Sequence, residues 1–459
     1  MGFASTGSLP AGLVASHTAT KLVLRGVAIS SKVSVLKRLN TEEPKISLGL
    51  RTVPALTSRA ALGIRGPDSK KEQAAARNKC ASMNPPSHPR LIGRMSAPAI
   101  VPGHDTLIEI LSQPAVWEET RRELEGRGTL ARLADIFSPR DPWLFIACGS
   151  SYYLCQLLAS LWSKLLRVPC SAMPASELLF DSREILRRSG ANQAILLSRS
   201  GETSEVLRAA ELLRANGSVL SLGATCNPAS SLEKLCDHTL KLAWADEKST
   251  VMTRSFTSFL LAFQRLGAMF AGESASLAVL DRLPAHVAPW LRANEKRIRR
   301  FGRNRRFANF VFLGQGLHYW LAQEAALKIT EMSTSYAQAY HTLEFRHGPR
   351  SIAGRETLIA VLASEAAAQE EGRLIEEMKR LGATTLVVAN RMGPRLKRSS
   401  DLHLELGLAE PESARLAAMA IPAQLLGCAV GLSKGLNPDA PANLTRFVKL
   451  ESDGAGGPG

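Results

Sequence analysis

From about residue 140 the chain repeats one unit, a short apolar run followed by a small-residue loop and a helical stretch, and the whole series occurs twice. Trp143 to Cys148, Val168 to Met173, Gln193 to Ser198, Val219 to Ala224 and Thr239 to Ala243 read as strands with helical segments between them. Strands joined through helices run parallel, and the helices cover both faces of their sheet. After an amphipathic stretch from Leu280 to Arg300 the order recurs: Asn309 to Leu313, Ser335 to Ala339, Leu358 to Ala363, Thr384 to Ala389 and Leu402 to Leu406. The chain therefore reads as an internal duplication. Phe145-Ile146-Ala147-Cys148-Gly149-Ser150-Ser151 and Val311-Phe312-Leu313-Gly314-Gln315-Gly316 match as strand-to-glycine turns, and ligands of open α/β sheets sit at the carboxyl ends of strands. Gly314-Gln315-Gly316 lacks the third glycine and the later acid of a dinucleotide site.

The loop richest in chemistry is Leu197-Ser198-Arg199-Ser200-Gly201-Glu202-Thr203-Ser204, between an apolar strand and the helical segment Glu205 to Leu213. Hydroxyls, a glycine and a helix N-terminus at one turn suit a phosphate, and Arg199 adds a full positive charge. No P-loop lysine follows the glycine, so the expected ligand is a small phosphomonoester rather than a nucleotide.

The net charge of +16 raises nucleic acid and membranes as partners, but +11 of it lies in residues 1–94, leaving +5 for the rest. With 5% aromatics and no Lys/Arg run, the body lacks the stacking platform and basic stripe of a nucleic-acid binder. Residues 1–94 show no sustained period and are expected to be a disordered leader, either a targeting segment or an upstream region before a true start at Met83 or Met95. Seven cysteines without a C-x-x-C pair or clustered histidines argue for a reducing, cytoplasmic setting and against structural zinc; Cys155 and Cys428 read as small core residues. No uninterrupted 18-residue apolar stretch occurs, so no membrane span is expected.

Five motifs occur in a telling order: Cys148-Gly149-Ser150-Ser151, Ser198 to Thr203, Met252-Thr253-Arg254-Ser255-Phe256-Thr257, Glu324 to Glu331, and Phe345-Arg346-His347-Gly348-Pro349. Over residues 105–450 the chain resembles proteins with tandem sugar isomerase (SIS) domains. These include the isomerase half of glucosamine-6-phosphate synthase, stand-alone amino-sugar-phosphate deaminases and ketose/aldose isomerases. The resemblance implies two tandem flavodoxin-like, three-layer α/β/α domains with parallel sheets, at 105–285 with the phosphate loop and 295–459 with the catalytic helix, His turn and C-terminal tail. It also implies no metal and no cofactor. The synthase itself is not expected, because its N-terminal domain begins with a glutamine-attacking cysteine and residue 2 here is glycine.

By the same resemblance Gly149, Ser150, Ser151, Ser198, Arg199, Ser200 and Thr203 would hold the sugar phosphate, with Thr250 and Thr445 beside the sugar. The family commonly has glutamine where Arg199 stands, which implies an extra charge-assisted bond. The alternative is that Ser200 and Thr203 merely cap a helix and Arg199 is a solvated charge, but capping needs one hydroxyl and this loop supplies several. Lys328 and Glu331 share a helix face at spacing three. The resemblance makes Glu331 the base that moves a proton between C1 and C2; the alternative is an exposed Glu324–Lys328 pair with Glu331 solvated. It makes His347 the ring-opening group, donated across a homodimer. Arg446 occupies the position of the synthase's Schiff-base lysine; arginine cannot form that imine, so it is expected to stabilise an enolate or contact substrate, leaving Lys328 as the candidate amine.

The expected function is conversion of glucosamine 6-phosphate or galactosamine 6-phosphate to ketose 6-phosphate and ammonia. Ketose/aldose isomerisation and a non-catalytic sugar-phosphate sensor are the alternatives. Retention of both Glu331 and His347 disfavours the sensor.

Overall fold

The computed structural model describes residues 101–304 and 307–450; the leader at 1–94, with Met83 and Cys80, and Met95 after it lie outside them. Helices α1 (His104–Leu111), α2 (Gln113–Gly126) and α3 (Thr129–Ile136) lead into the first sheet. The helical stretch ahead of the first strand is divided at Ser112, because Pro114 in the first turn of α2 has no N–H with which to continue α1.

The first series runs β1 (Trp143–Ala147), α4 (Ser150–Leu166), β2 (Cys170–Pro174), α5 (Ala175–Ser189), β3 (Gln193–Leu197), α6 (Ser204–Asn216), β4 (Leu220–Thr225), α7 (Ser231–Leu235) and β5 (His238–Lys241). Helices α8 (Arg254–Ala271) and α9 (Ser274–Asn304) connect it to the second. That series comprises β6 (Asn309–Gly314), α10 (Leu317–Ser333), β7 (Ala337–His341), β8 (Thr357–Leu362), α11 (Ala368–Arg380), β9 (Thr384–Ala389), α12 (Pro394–Ser399), β10 (Leu402–Glu405) and α13 (Leu416–Ser433). All pairings are parallel. The sheet orders are β2-β1-β3-β4-β5 and β10-β9-β8-β6-β7. Read from its opposite edge, the second repeats the first, and both have the doubly wound, flavodoxin-like arrangement.

The pleat explains how the two halves share one interior. Phe145, Ile195 and Leu222 from the first sheet and Phe312, Leu358 and Leu386 from the second point into a single core, packed with side chains of α4, α8, α10 and α13. The intervening residues face outward into two separate cores, Leu144, Ile146 and Leu196 under α5 and α6, and Val311, Ile359 and Val361 under α11. Strands buried on both faces must be apolar at every position, hence the continuous runs in the sequence.

Helix α13 is apolar and long enough to cross a membrane by hydropathy, yet 89% of it is buried inside the protein. It is a core helix packed on α9 and α10. Cys155 and Cys428 are buried free thiols, and burial pushes both above their ordinary range.

After α13 the chain returns to the first sheet. The Thr250 N–H donates to the Asp439 carbonyl at 2.9 Å, and that of Ser204 to the Val448 carbonyl at 3.2 Å. Asp439 Oδ1 accepts from the Thr106 N–H and hydroxyl at 2.8 and 2.7 Å. The tail belongs to the second half in sequence and rests on the first half in space.

Candidate active site

Between β3 and α6, residues 198–203 turn at the carboxyl edge of the first sheet. Gly201 has φ 66°, and a Cβ there would lie 2.3 Å from Ser230 Cβ, so the turn requires glycine. Ser198 Oγ accepts from the Gly201 N–H at 3.1 Å and lies 3.0 Å from Thr203 Oγ1 and 3.4 Å from Ser200 Oγ. Three hydroxyls thus converge within one turn. Thr203, at the N-cap of α6, makes no side-chain capping bond, and Ser200 Oγ accepts from the Glu202 N–H at 3.1 Å, so capping is not what these hydroxyls do. Opposite them Gly149 precedes α4 with φ 58° and ψ −134°, a conformation open to glycine, which sets Ser150 and Ser151 in the first helical turn. Two helix N-termini therefore face the same space.

Those loops, Thr250, Met252, Glu331 and the tail residues Leu444 to Val448 line a cavity of about 260 Å³. A wider cleft of about 770 Å³ lies beside α5 and α6, but Ser176 is the one hydroxyl residue in its lining, so it offers no comparable cradle.

The second half contributes its catalytic candidates through α10, which packs on α4. Lys328 is fully buried; its Nζ donates to Ser150 Oγ at 3.0 Å and to Glu331 Oε2, and lies 3.4 Å from Glu324 Oε1. Glu324 is as buried as Lys328, which overturns the reading of an exposed pair. Neither oxygen of Glu324 has a hydrogen-bond partner; the 3.4 Å approach of Lys328 is an ion contact without hydrogen-bond geometry. Burial holds Glu324 toward its neutral form, more strongly than the Lys328 ammonium lowers it. Burial alone would lower Lys328, but the carboxyl groups of Glu324 and Glu331 hold it above its ordinary value. The two carboxyl groups thus favour the ammonium form of Lys328, whereas imine chemistry needs the free amine. Of these three residues Glu331, whose side chain is 18% exposed, lines the cavity, and Lys328 holds it from behind.

Arg199 also departs from expectation. Arg199 lines the cavity, but its guanidinium, with the side chain 4% exposed, is bonded to Glu247 at 3.3 Å and to the carbonyls of Ser249, Thr250 and Arg446 at 3.4, 2.9 and 3.4 Å. It is neither a solvated charge nor a cation left over for phosphate. Nη2 of Arg446 donates to both carboxylate oxygens of Asp246 at 2.6 and 2.7 Å, and Thr445 Oγ1 donates to the Phe447 carbonyl at 2.9 Å; Thr445 and Arg446 line the cavity. His347 follows a short 3₁₀ turn at Glu344–Arg346, is exposed, and is absent from the lining of this cavity.

Sequence reasoning missed Asp246 and Glu247. The carboxylate of Glu247 accepts from Ser255 Oγ and from the Thr253 N–H and hydroxyl at 2.5 and 2.7 Å. Glu109, raised by burial and by Glu247, accepts from Lys248 N, Ser249 N and Ser249 Oγ. Adjacent acids before Lys248-Ser249-Thr250 were the available signal, but nothing in their spacing marks them as buried. Among the described residues no group of three or more His, Cys, Asp or Glu is placed to hold a metal.

A hydroxyl cradle at two helix N-termini, with a carboxylate and a buried ammonium beside it, can hold a phosphate dianion while a proton moves on the attached carbon chain. The sequence is similar to glutamine-fructose-6-phosphate aminotransferase (isomerizing) of Gloeobacter violaceus, 29% identical over 366 residues, and of Escherichia coli K12, 30% identical over 363 residues. These alignments cover 76% and 75% of this chain but 59% and 58% of the relatives, so the chain spans under two thirds of their length. Among solved structures, glucosamine-6-phosphate deaminase of Thermotoga maritima is 30% identical with a TM-score of 0.63, covering 75% of this chain and 100% of that one. Tagatose-6-phosphate ketose/aldose isomerase of Escherichia coli, 21% identical with a TM-score of 0.65 and covering 77% and 100%, shares the fold. The SIS domain matches residues 136–269 and 307–430, one copy for each half of the molecule, and the chain belongs to the SIS domain family.

Proposed function

We propose that the protein is a sugar-phosphate isomerase that converts an amino-sugar 6-phosphate, glucosamine or galactosamine 6-phosphate, to the ketose 6-phosphate with release of ammonia. The observation that carries this reading is the single cavity shared by the Ser198–Thr203 hydroxyls and the Glu331 carboxylate, which the buried Lys328 holds in place. Ser151, Ser198, Ser200 and Thr203, with the N-termini of α4 and α6, hold the phosphate. Lys328 fixes Ser150 and Glu331 in one orientation.

In the open-chain amino aldose, Glu331 removes the C2 proton while the C1 oxygen gains one, giving a 1,2-enaminol. Returning a proton to C1 leaves an iminium at C2; water adds there and ammonia departs, so one substrate and one water become ketose phosphate and ammonia. Arg446 is the charge available to an oxygen that turns negative on this path, once it leaves Asp246. Exposure of His347 outside its own chain's cavity supports its donation to a second copy as the ring-opening group. The 30% identity to a glucosamine-6-phosphate deaminase favours nitrogen loss over simple aldose–ketose exchange.

The test is ammonia release from glucosamine 6-phosphate and galactosamine 6-phosphate with ketose 6-phosphate measured in parallel. Equal amounts of both products, lost in Glu331→Gln, are expected. Ketose formed from a nitrogen-free aldose phosphate without ammonia would move the assignment to simple isomerisation. Tight phosphate-dependent binding without turnover would make the protein a sensor.

A further inference from the structure

Arg199 is the more buried of the two arginines that line the cavity, and the reaction above gives it no task. Its surroundings supply one. The main chain of Arg199 is fixed by the end of β4: its carbonyl accepts from Cys226 N at 2.9 Å and Thr225 Oγ1 at 3.1 Å. Its guanidinium then spans three segments far apart in sequence. One is its own phosphate turn; the second is the loop 246–253, reached through Glu247, Ser249 and Thr250; the third is the tail, reached through the Arg446 carbonyl.

Glu247 is the counterpart that makes this placement affordable. Its side chain is fully buried and its oxygens take four partners: Arg199, Ser255 and the N–H and hydroxyl of Thr253. A buried guanidinium without such a carboxylate would cost several kcal/mol, and the fork geometry of arginine is what lets one side chain serve several acceptors. The tail has few other ties near the cavity. These are the Arg446–Asp246 pair, 39% and 38% exposed, the bond from Thr250 N to the Asp439 carbonyl, that from Ser204 N to Val448, and that from Leu450 N to Ser204 Oγ. All of them end on the phosphate turn's helix or on the loop that Glu247 organises.

We propose that Arg199, held by Glu247, is a positioning residue that joins the phosphate turn to the C-terminal tail, so that Thr445 and Arg446 stand over the sugar when the phosphate turn is in place. Arg199 sets the affinity for the whole sugar phosphate without touching the phosphate. The inference rests on the reading of the cavity as the substrate site, and it concerns who orders the tail rather than what chemistry follows.

The experiment uses the full chain carrying Arg199→Gln, Arg199→Lys, Glu247→Gln, or Arg199→Gln with Glu247→Gln. Each is checked by circular dichroism and assayed for kcat and KM on glucosamine 6-phosphate, Kd for inorganic phosphate, and deuterium uptake of residues 443–450. The double variant leaves no lone buried charge and is expected to fold even where a single one does not. Expected for Arg199→Gln and the double variant are a KM raised about tenfold with kcat within about threefold, and tail exchange faster by about tenfold. Inorganic phosphate affinity should stay within about threefold of the wild type. Arg199→Lys keeps the charge but not the fork, and should leave the tail as exchangeable as Arg199→Gln does. If inorganic phosphate weakens as much as KM rises, Arg199 binds the phosphate directly and the proposal falls; unchanged tail exchange also overturns it. Should the wild type not turn over the amino sugar, the functional reading fails, while tail exchange and phosphate binding still decide this one.

Discussion

In the first half of the molecule the crevice at the carboxyl edge of the sheet is lined by hydroxyls, whereas the matching turn of the second half carries a carboxylate paired with a buried arginine. Both halves begin the crevice alike: Gly149 (φ 58°, ψ −134°) and Gly316 (φ 60°, ψ −124°) precede α4 and α10 in the same glycine conformation. The next turn differs. After β3 come Ser198, Ser200 and Thr203; after β8 come Ser364, Glu365 and three alanines. Glu365 bonds Arg415 Nη2 at 2.6 Å and Asn390 Nδ2 at 3.1 Å, while Arg415, 2% exposed, also reaches Glu410 and the Leu408 carbonyl. Burial, with Arg415 nearby, pushes His318 down to about 4, so the imidazole stays neutral there. Where the first half sets hydroxyls at this turn, the second supplies an internal carboxylate to an internal cation. The fold is the same, and the loops make the difference. The second half also contributes Glu331 of α10 to the cavity of the first.

The comparison breaks most sharply on rate. Glu331→Gln should lower kcat by about 10² to 10⁴, with the midpoint of thermal unfolding little changed. Glu365→Gln, in the matching crevice, should leave kcat within about threefold; a comparable loss of rate there would mean that both crevices serve the reaction.

Next in size is the phosphate turn. Ser198→Ala with Ser200→Ala should raise KM for the sugar phosphate by about 10- to 100-fold and weaken competition by inorganic phosphate in step. A kcat defect at unchanged KM would instead place these hydroxyls at the reacting carbons.

Stability separates the halves in the opposite sense. Arg415→Met should cost about 1–3 kcal/mol in urea unfolding, because Glu365 and Glu410 lose their cation yet are partly exposed and can rehydrate. Turnover at a temperature where the variant is folded should persist.

The smallest expected effect is a pH slope. Glu371 accepts from Thr342 Oγ1 at 3.2 Å and Ser364 N at 3.0 Å, and burial pushes it up to about 7. Between its unfolded value near 4.5 and about 7 the native state holds a proton that the unfolded state has given up. Stability therefore falls as pH rises through that window. Glu371→Gln should flatten the decline of the unfolding midpoint from pH 5 to 8; an unchanged slope would assign the decline to another group.

Much of this was legible in the chain. Strand runs from Trp143 to Leu406 were readable because parallel strands buried on both faces are apolar throughout, and errors stayed at their ends, as at Val168, where β2 begins at Cys170. The hydroxyl turn was readable because Ser198, Ser200 and Thr203 are neighbours in sequence. Glu331 was readable as one face of a helix with Lys328. The second crevice was not, because Glu365 and Arg415 are 50 residues apart and no local pattern joins them.

Sequence by itself determined what short-range physics governs: the alternation of elements, the duplication, the glycine turns and the hydroxyls set beside a helix N-terminus. Tertiary structure alone decided the partners of the charges. Arg199 turned from an expected phosphate ligand to Glu247 and the tail, Lys328 met Ser150 across the two halves, and the tail closed on the first sheet. The reason is physical. Helix and strand periods are set by neighbours within a few residues, whereas a buried charge is placed by whichever opposite charge or carbonyl the packed elements bring within reach, at any distance along the chain.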